Sequence, residues 1–424
     1  MSPPPKRSIW NLLFLISSFG LAGMAGVLLV REIMPEWAGV QIGYNRRLAE
    51  VTGDRSKAWA FPKIRQIHLP QMNRTDRCVT CHAGIDNPKM AGQPQPFASH
   101  PDLGIPGFLE KHPFNEVGCT VCHHGQGHAV ERQAAHGPVK HWNQPLLSKE
   151  LTVGACATCH QNISGLKGAE RLQKAWALFK EKGCIGCHNL HGKGMLIGPE
   201  LAETYSKSPD QFDFKYIGAG SVRHHGEETV ALWIAEHFRD PQKVVPGYPK
   251  LGVPETPMPN YGLTEEEVQL LTALTISFAM EEEDEQHPIP ARFHVPAGAA
   301  EPEPVYASKV EQGAAIFQKV GCVGCHGPRG SGGIINRNMD MGEEVPPLTH
   351  VSDGYSKEEL KEIIRDGRYP ARAQRDGLSP PLWMPSWKEK LTDEEIDAVV
   401  EYLYSLNPET SEASPKSAKV RIVA

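Results

Sequence analysis

The longest apolar run lies at the start of the chain. From Ile9 to Val30 only Asn11 and two serines interrupt 22 residues, and a membrane-spanning helix needs about 20. Lys6 and Arg7 precede the run and Arg31 follows it. Gly23 and Ala25 also suit a signal-peptide cleavage site, but a cleavable apolar region spans about 7–15 residues. The run is therefore read as a retained transmembrane anchor, with a cleaved leader as the alternative. The positive residues on its short side put that end in the cytoplasm and everything after Val30 on the periplasmic (extracytoplasmic) side of an inner, cytoplasmic membrane crossed once.

Helical apolar spacing returns in residues 36–60 at Trp37, Val40, Ile42, Tyr44 and Leu48, which predicts a juxtamembrane connector helix packing on the residues C-terminal to it. Residues 70–162 are rich in Pro, Gly and His and show no long amphipathic period, so side chains alone cannot supply a core there. Beyond them the helical period is clear twice, at Leu172, Ala175, Trp176 and Phe179, and at Ala314, Phe317 and Val320. Thr264 and Thr392 each open a second amphipathic helix with a Thr-x-x-Glu capping box. A helix, a loop, a Met-Pro pair and a capped helix thus occur in both 163–280 and 309–407.

Between the repeats, the acidic run 281–285 and a Pro/Ala/Glu stretch to 308 read as a semi-rigid solvated linker that lets the second module swing. The expected organisation is 1–33 cytoplasmic tip and anchor, 34–69 connector, 70–162 a compact module with little regular structure, 163–280 and 309–407 helical modules, 281–308 linker and 408–424 disordered tail. The fold class is mainly α with much irregular structure. With 44 basic and 50 acidic residues, a net charge of −6 and no basic run, nothing here binds nucleic acid. With 40 Gly, 36 Pro and 40% hydrophobic residues, side-chain cores must be small and something else must fill the interior.

The cysteines say what that is. All ten fall in five copies of Cys-x-x-Cys-His: Cys78–Cys81–His82, Cys119–Cys122–His123, Cys156–Cys159–His160, Cys184–Cys187–His188 and Cys322–Cys325–His326. Zinc knuckles, redox dithiols and structural disulfides use cysteine pairs too, but none requires histidine directly after the second cysteine. Histidine is 19 of 424 residues, so five chance matches in five have odds on the order of one in several million. The pattern is the attachment signature of c-type haem: two thiols bind the porphyrin and the adjacent imidazole is the proximal iron ligand. Five covalently attached haem c groups are expected, three of them in a trihaem module at 70–162. No cysteine is left for a nucleophile or an iron–sulfur cluster.

Each iron needs a sixth ligand or an open position. In the trihaem region His68, His100, His112, His124, His128, His136 and His141 are spare, and Met72 and Met90 are the only sulfur candidates. His100, His112 and His136, each beside a backbone-fixing or backbone-freeing Pro or Gly, are the choices, giving bis-histidine haems. In the two later modules, Thr256-Pro-Met258-Pro-Asn-Tyr261 and Leu382-Trp-Met384-Pro-Ser-Trp387 stand before the last helix. Both modules resemble class I cytochrome c domains, which take their distal methionine from such a loop, and the resemblance implies Met258 and Met384 as ligands. It also implies that Gly198-Pro199-Glu-Leu201 and Pro346-Pro347-Leu348 act as the proline loop touching the proximal histidine. His224 and His225, and Met339, Met341 and His350, are the other candidates for the fourth and fifth haems.

A second resemblance rests on Asp76-Arg-Cys-Val-Thr-Cys-His82, Gly84-Ile-Asp-Asn-Pro88, Pro96-Phe-Ala-Ser-His-Pro101 and Gly118-Cys-Thr-Val-Cys-His-His-Gly-Gln-Gly127. Over roughly 30–160 the chain is similar to the membrane-anchored multihaem cytochromes that accompany bacterial cytochrome b/Rieske-type quinol-oxidising complexes. That implies a cytochrome b-like membrane subunit and other respiratory subunits as partners, and a soluble periplasmic electron acceptor. Electrons would run from lower-potential bis-histidine haems near the anchor to higher-potential His/Met haems. The alternatives are a free-standing anchored shuttle and a multihaem enzyme with a substrate-binding haem. All five motifs keep histidine and candidate sixth ligands exceed the need, which argues against catalysis, so no catalytic residue is expected.

Overall fold

The computed structural model describes residues 9–101, 105–137, 139, 142–215, 217, 228–245, 256–280, 287–295, 304–340 and 342–411. Lys6, Arg7, His141, His224, His225, Met341, the acidic run 281–285 and the tail beyond 411 lie outside the described residues. Among the described residues the chain is mostly helical, with two small two-stranded sheets and much irregular structure, and it divides into two compact units.

The first unit holds residues 1–139 and 144–146. Helix α1 (Ile9–Ile33) exposes its apolar side chains over residues 9–29, a stretch long and apolar enough to cross a membrane. Pro35 starts α2 (Glu36–Thr52), which ends on Gly53 in the left-handed region, where a glycine costs least. Strands β1 (Ile67–Leu69) and β2 (Arg74–Asp76) pair antiparallel, Ile67 opposite Asp76. The core is small, as the composition requires: Tyr44, Ala83 and Met90 with Leu48 and Phe97. Met72 and Met90 are both fully buried.

Hydrogen bonds do what apolar area cannot. Gln41, buried on α2, donates from Nε2 to the Lys63 carbonyl (2.7 Å) and the Thr80 carbonyl (2.8 Å) and accepts the Lys63 N–H at Oε1 (2.9 Å). It fastens the connector to the first Cys-x-x-Cys-His turn. Gln41→Ala leaves three main-chain groups without their partner, at about 1–3 kcal/mol each where water cannot reach. Chemical denaturation should show a loss of about 3 kcal/mol in this unit, and a midpoint equal to wild type would refute the clamp.

The second unit holds residues 140–143 and 147–424, so the third Cys-x-x-Cys-His motif belongs with the fourth and fifth. The boundary falls inside the 70–162 segment that motif spacing groups together. Packing gives the reason. The 3-10 turn Thr152–Thr158 lies on α5 (Glu265–Met280), and a Cβ on Gly154 would meet the Ala273 carbonyl oxygen at 2.7 Å and Ile276 at 3.0 Å.

The two modules in this unit repeat one plan. In the first, α3 (Glu170–Lys182) packs on α5 through Leu172, Phe179, Leu271, Leu274 and Phe278. In the second, α6 (Lys309–Lys319) packs on α8 (Asp393–Ser405) through Phe317, Ile396, Val399, Val400 and Leu403. Both expected capping boxes form, Thr264 with Glu267 and Thr392 with Glu395. Each module also contains a helix that the sequence reading lacks: α4 (Val230–Arg239), capped by Thr229, and α7 (Lys357–Asp366), capped by Ser356.

Candidate functional site

All five Cys-x-x-Cys-His motifs adopt the same turn. The histidine N–H donates to the carbonyl of the first cysteine at 2.9 Å in His82 and His160 and at 3.0 Å in His123, His188 and His326. Two sulfurs and an imidazole are thereby presented by one helical turn. No cysteine is in a disulfide. Burial pushes the Cys156 thiol up to about 11 and the Cys184 and Cys322 thiols up to about 12. A thioether carries no charge and loses nothing by the same burial, so the sites fit haem attachment.

His188 supplies a second test of fit. Its Nδ1 donates to the Pro199 carbonyl at 2.9 Å, which fixes the tautomer and leaves Nε2 with a lone pair for a metal. Gly198 allows this approach, because a Cβ there would stand 2.6 Å from the His188 ring. Burial lowers the His188 pKa, opposed by the Pro199 hydrogen bond and by Glu200. The expected proline-loop contact is thus made in the first module. In the second, His326 is buried with its pKa pushed down to about 4 by that burial, but its Nδ1 has no hydrogen-bond partner among the described residues.

The candidate distal residues fare differently. In the first unit the His136 ring centre lies 6.2 Å from that of His82, and the His100 ring centre 6.1 Å from that of His123. His100 Nδ1 donates to the Pro101 carbonyl at 2.6 Å. Burial first, then the charges of His100 and His82, lower the His123 pKa. His112 instead packs against the Phe108 ring, tilted at 30° with centres 4.6 Å apart, and bonds the Phe108 carbonyl through Nδ1 at 2.9 Å. Met90 packs in the core with Tyr44 and Ala83. Met384 pairs its backbone with Arg368 (2.8 and 2.9 Å) beside the core of the second module. Met339 is buried against the Asn336 amide, and His350 is exposed, beside Asp353.

Met258 stands beside a residue that the sequence reading passed over. His237, on α4, places Nε2 3.0 Å from Met258 Sδ while its Nδ1 bonds the Val244 carbonyl at 2.5 Å. Burial chiefly, and the charge of His188 in smaller part, push the His237 pKa down to about 4 against the Val244 hydrogen bond.

The fourth and fifth motifs meet back to back. A Cβ on Gly324 would stand 2.6 Å from the Gly183 carbonyl oxygen, and Gly186 lies as closely against Gly321. Position for position the contact is reciprocal, like an isologous dimer interface within one chain. Cys187 Sγ and Cys325 Sγ are 3.9 Å apart. Tyr261 Oη donates to the Gly324 carbonyl at 3.4 Å, and Lys390 Nζ to the Gly192 carbonyl at 3.3 Å. Met195, from the first module, is buried in the core of the second. The two modules are docked, which corrects the expectation that the linker lets the fifth haem swing. The linker's composition allowed motion, but the glycine-to-glycine contact removes it.

No curated protein and no solved structure matches the chain. The cytochrome c family matches residues 172–274 and 310–407, the same two segments that repeat the helix plan. These two segments are therefore cytochrome c domains, with the covalently bound haem c and the electron-transfer function that such domains have.

Proposed function

We propose that the chain is a membrane-anchored pentahaem electron carrier. It takes electrons from a membrane quinol-oxidising complex, as one of its subunits, and passes them to a soluble periplasmic acceptor. The observation that carries this reading is the 3.9 Å approach of Cys187 Sγ to Cys325 Sγ. Attachment sulfurs in contact would hold two haems close enough to exchange electrons, an arrangement that serves conduction and has no use in a substrate pocket. α1 is the anchor on this reading.

His82 with His136 and His123 with His100 are the proposed axial pairs of the first two haems. Two metal–imidazole bonds of about 2.0 Å plus two ring radii put the ring centres roughly 6 Å apart, and the rings stand at 6.2 and 6.1 Å. Met384 is the proposed sixth ligand of the fifth haem. A bis-imidazole iron sits lower in potential than an imidazole–thioether iron, so electrons run from the first unit's haems toward the fifth.

The test is a haem-stained native gel of membranes solubilised in mild detergent, with co-migrating chains identified by mass spectrometry. Co-migration with a multispan cytochrome b-like protein is expected. Migration alone near the monomer mass would overturn the subunit assignment and leave an anchored shuttle that serves soluble cytochromes.

A further inference from the structure

We propose that His237 is the distal ligand of the fourth haem and that it takes the position from Met258, a reading that rests on haem attachment at Cys184, Cys187 and His188. The Nε2 of His237 and the Sδ of Met258 lie 3.0 Å apart. Nδ1 faces the Val244 carbonyl and must carry the ring proton, so Nε2 presents a lone pair, and a thioether sulfur has no proton to offer. Two electron-pair donors aimed at each other gain nothing from the contact. Their convergence marks a place built for an electrophile, and only one of them can hold it.

Three observations favour the imidazole. First, its second nitrogen is anchored on a backbone carbonyl, the device that orients metal-bound histidines and the same one that holds His188 on Pro199. Second, the ring is fixed by stacking on Trp233, centres 5.0 Å apart and planes within 10°, on a regular helix whose N-cap is Thr229. Met258 lies on an irregular segment and is held through its backbone, by Thr256 Oγ1 and Gln242 Nε2.

Third, the internal repeat isolates the residue. Counting eight positions from the N-cap gives His237 in α4 and Ile364 in α7. Ile364 is buried in the apolar core of its module. The second module keeps an apolar side chain where the first has placed a ligand, so α7 offers Met384 no rival at that position. Two domains of one family thus differ at one helix position in a way that lowers the potential of one haem relative to the other.

The experiment uses the full chain, extracted in detergent, with variants His237→Ala, Met258→Leu and Met384→Leu. The readout is the near-infrared charge-transfer band of thioether-ligated ferric haem, normalised per chain, together with a redox titration. The expected wild-type band corresponds to one haem. Met384→Leu abolishes it and Met258→Leu leaves it unchanged. His237→Ala doubles it as Met258 moves onto the iron, and one midpoint potential rises. If Met258→Leu halves the band, Met258 is the ligand and the proposal falls, whether or not His237→Ala folds. Intact mass of each chain counts the attached haems. A count without haem on the Cys184–Cys187 peptide would overturn the attachment reading itself, which separates that failure from a wrong choice of ligand.

Discussion

Gly186→Ala is expected to force the fourth and fifth haem-attachment turns apart. The new Cβ would overlap the Gly321 carbonyl oxygen and lie 2.8 Å from its carbon, and neither backbone atom can swing aside as a side chain does. The Gly321 turn cannot retreat either, because Val323 beside it is buried in the core of its module. Gly186 is not among the positive-φ glycines, so the substitution adds no backbone strain and acts by contact alone. Overpacking of this kind costs about 1–3 kcal/mol.

Haem attachment should survive, since Thr80, Val121 and Thr158 occupy the same position in the other three motifs. Hydrogen–deuterium exchange across 183–188 and 321–326 should speed up, and electron equilibration between the two haems after flash reduction should slow severalfold. Gly354→Ala, whose Cβ meets nothing within 4 Å, is the control. Exchange rates equal in the two variants would rule out docking through these glycines.

Asp76→Ala should cost the first unit more than any other single change in it. The Asp76 side chain is fully buried and its carboxylate accepts from the backbone N–H of Cys119 (2.5 Å) and Thr120 (3.0 Å) and from Thr120 Oγ1 (2.7 Å). It lies two residues before the first motif and holds the start of the second, so one side chain sets the position of both turns. Gly118 and Gly127 leave room for it, since a Cβ on Gly118 would stand 2.5 Å from the carboxylate. Hydrogen bonds to a charged group contribute about 1.5–3 kcal/mol each, so a loss of about 4 kcal/mol is expected from a total that rarely exceeds about 15. Mass spectrometry of haem peptides should find attachment at Cys78 and Cys119 reduced while Cys184 and Cys322 stay fully loaded. Equal loading at all four would mean that Asp76 organises nothing.

Much of this was legible in the residues. The five turns follow from the motif, and α3, α5, α6 and α8 follow from apolar spacing and two capping boxes. α4 and α7 were missed although Thr229 and the Ser356/Glu359 box announce them. Both are only ten residues long, too short to repeat a helical apolar period more than twice.

The grouping of the third motif failed for a different reason. Its distance along the chain from the second motif, 37 residues between first cysteines, resembles that between the first and second. Its packing partner Ala273 lies more than a hundred residues away, and no spacing reports such a contact. His237 carries no such signal: neither Pro nor Gly flanks it, and it sits in the last turn of α4 with its anchor, Val244, seven residues on. The docking of the last two motifs did leave a mark. Only Gly183-Cys-Ile-Gly-Cys-His188 and Gly321-Cys-Val-Gly-Cys-His326 carry glycine before both cysteines, and a turn without side chains there is one that another backbone can touch.

That contact makes the mechanical joint and the conductor a single part. A hinge that lies apart from the electron path can loosen while the wiring stays intact. Here the glycines that let one module rest on the other are those that bring the attachment sulfurs together. A change that eases the joint lengthens the gap that electrons must cross, and one that tightens the gap stiffens the molecule. Selection for throughput is therefore selection for rigidity at four glycines, whatever the tether between the modules does.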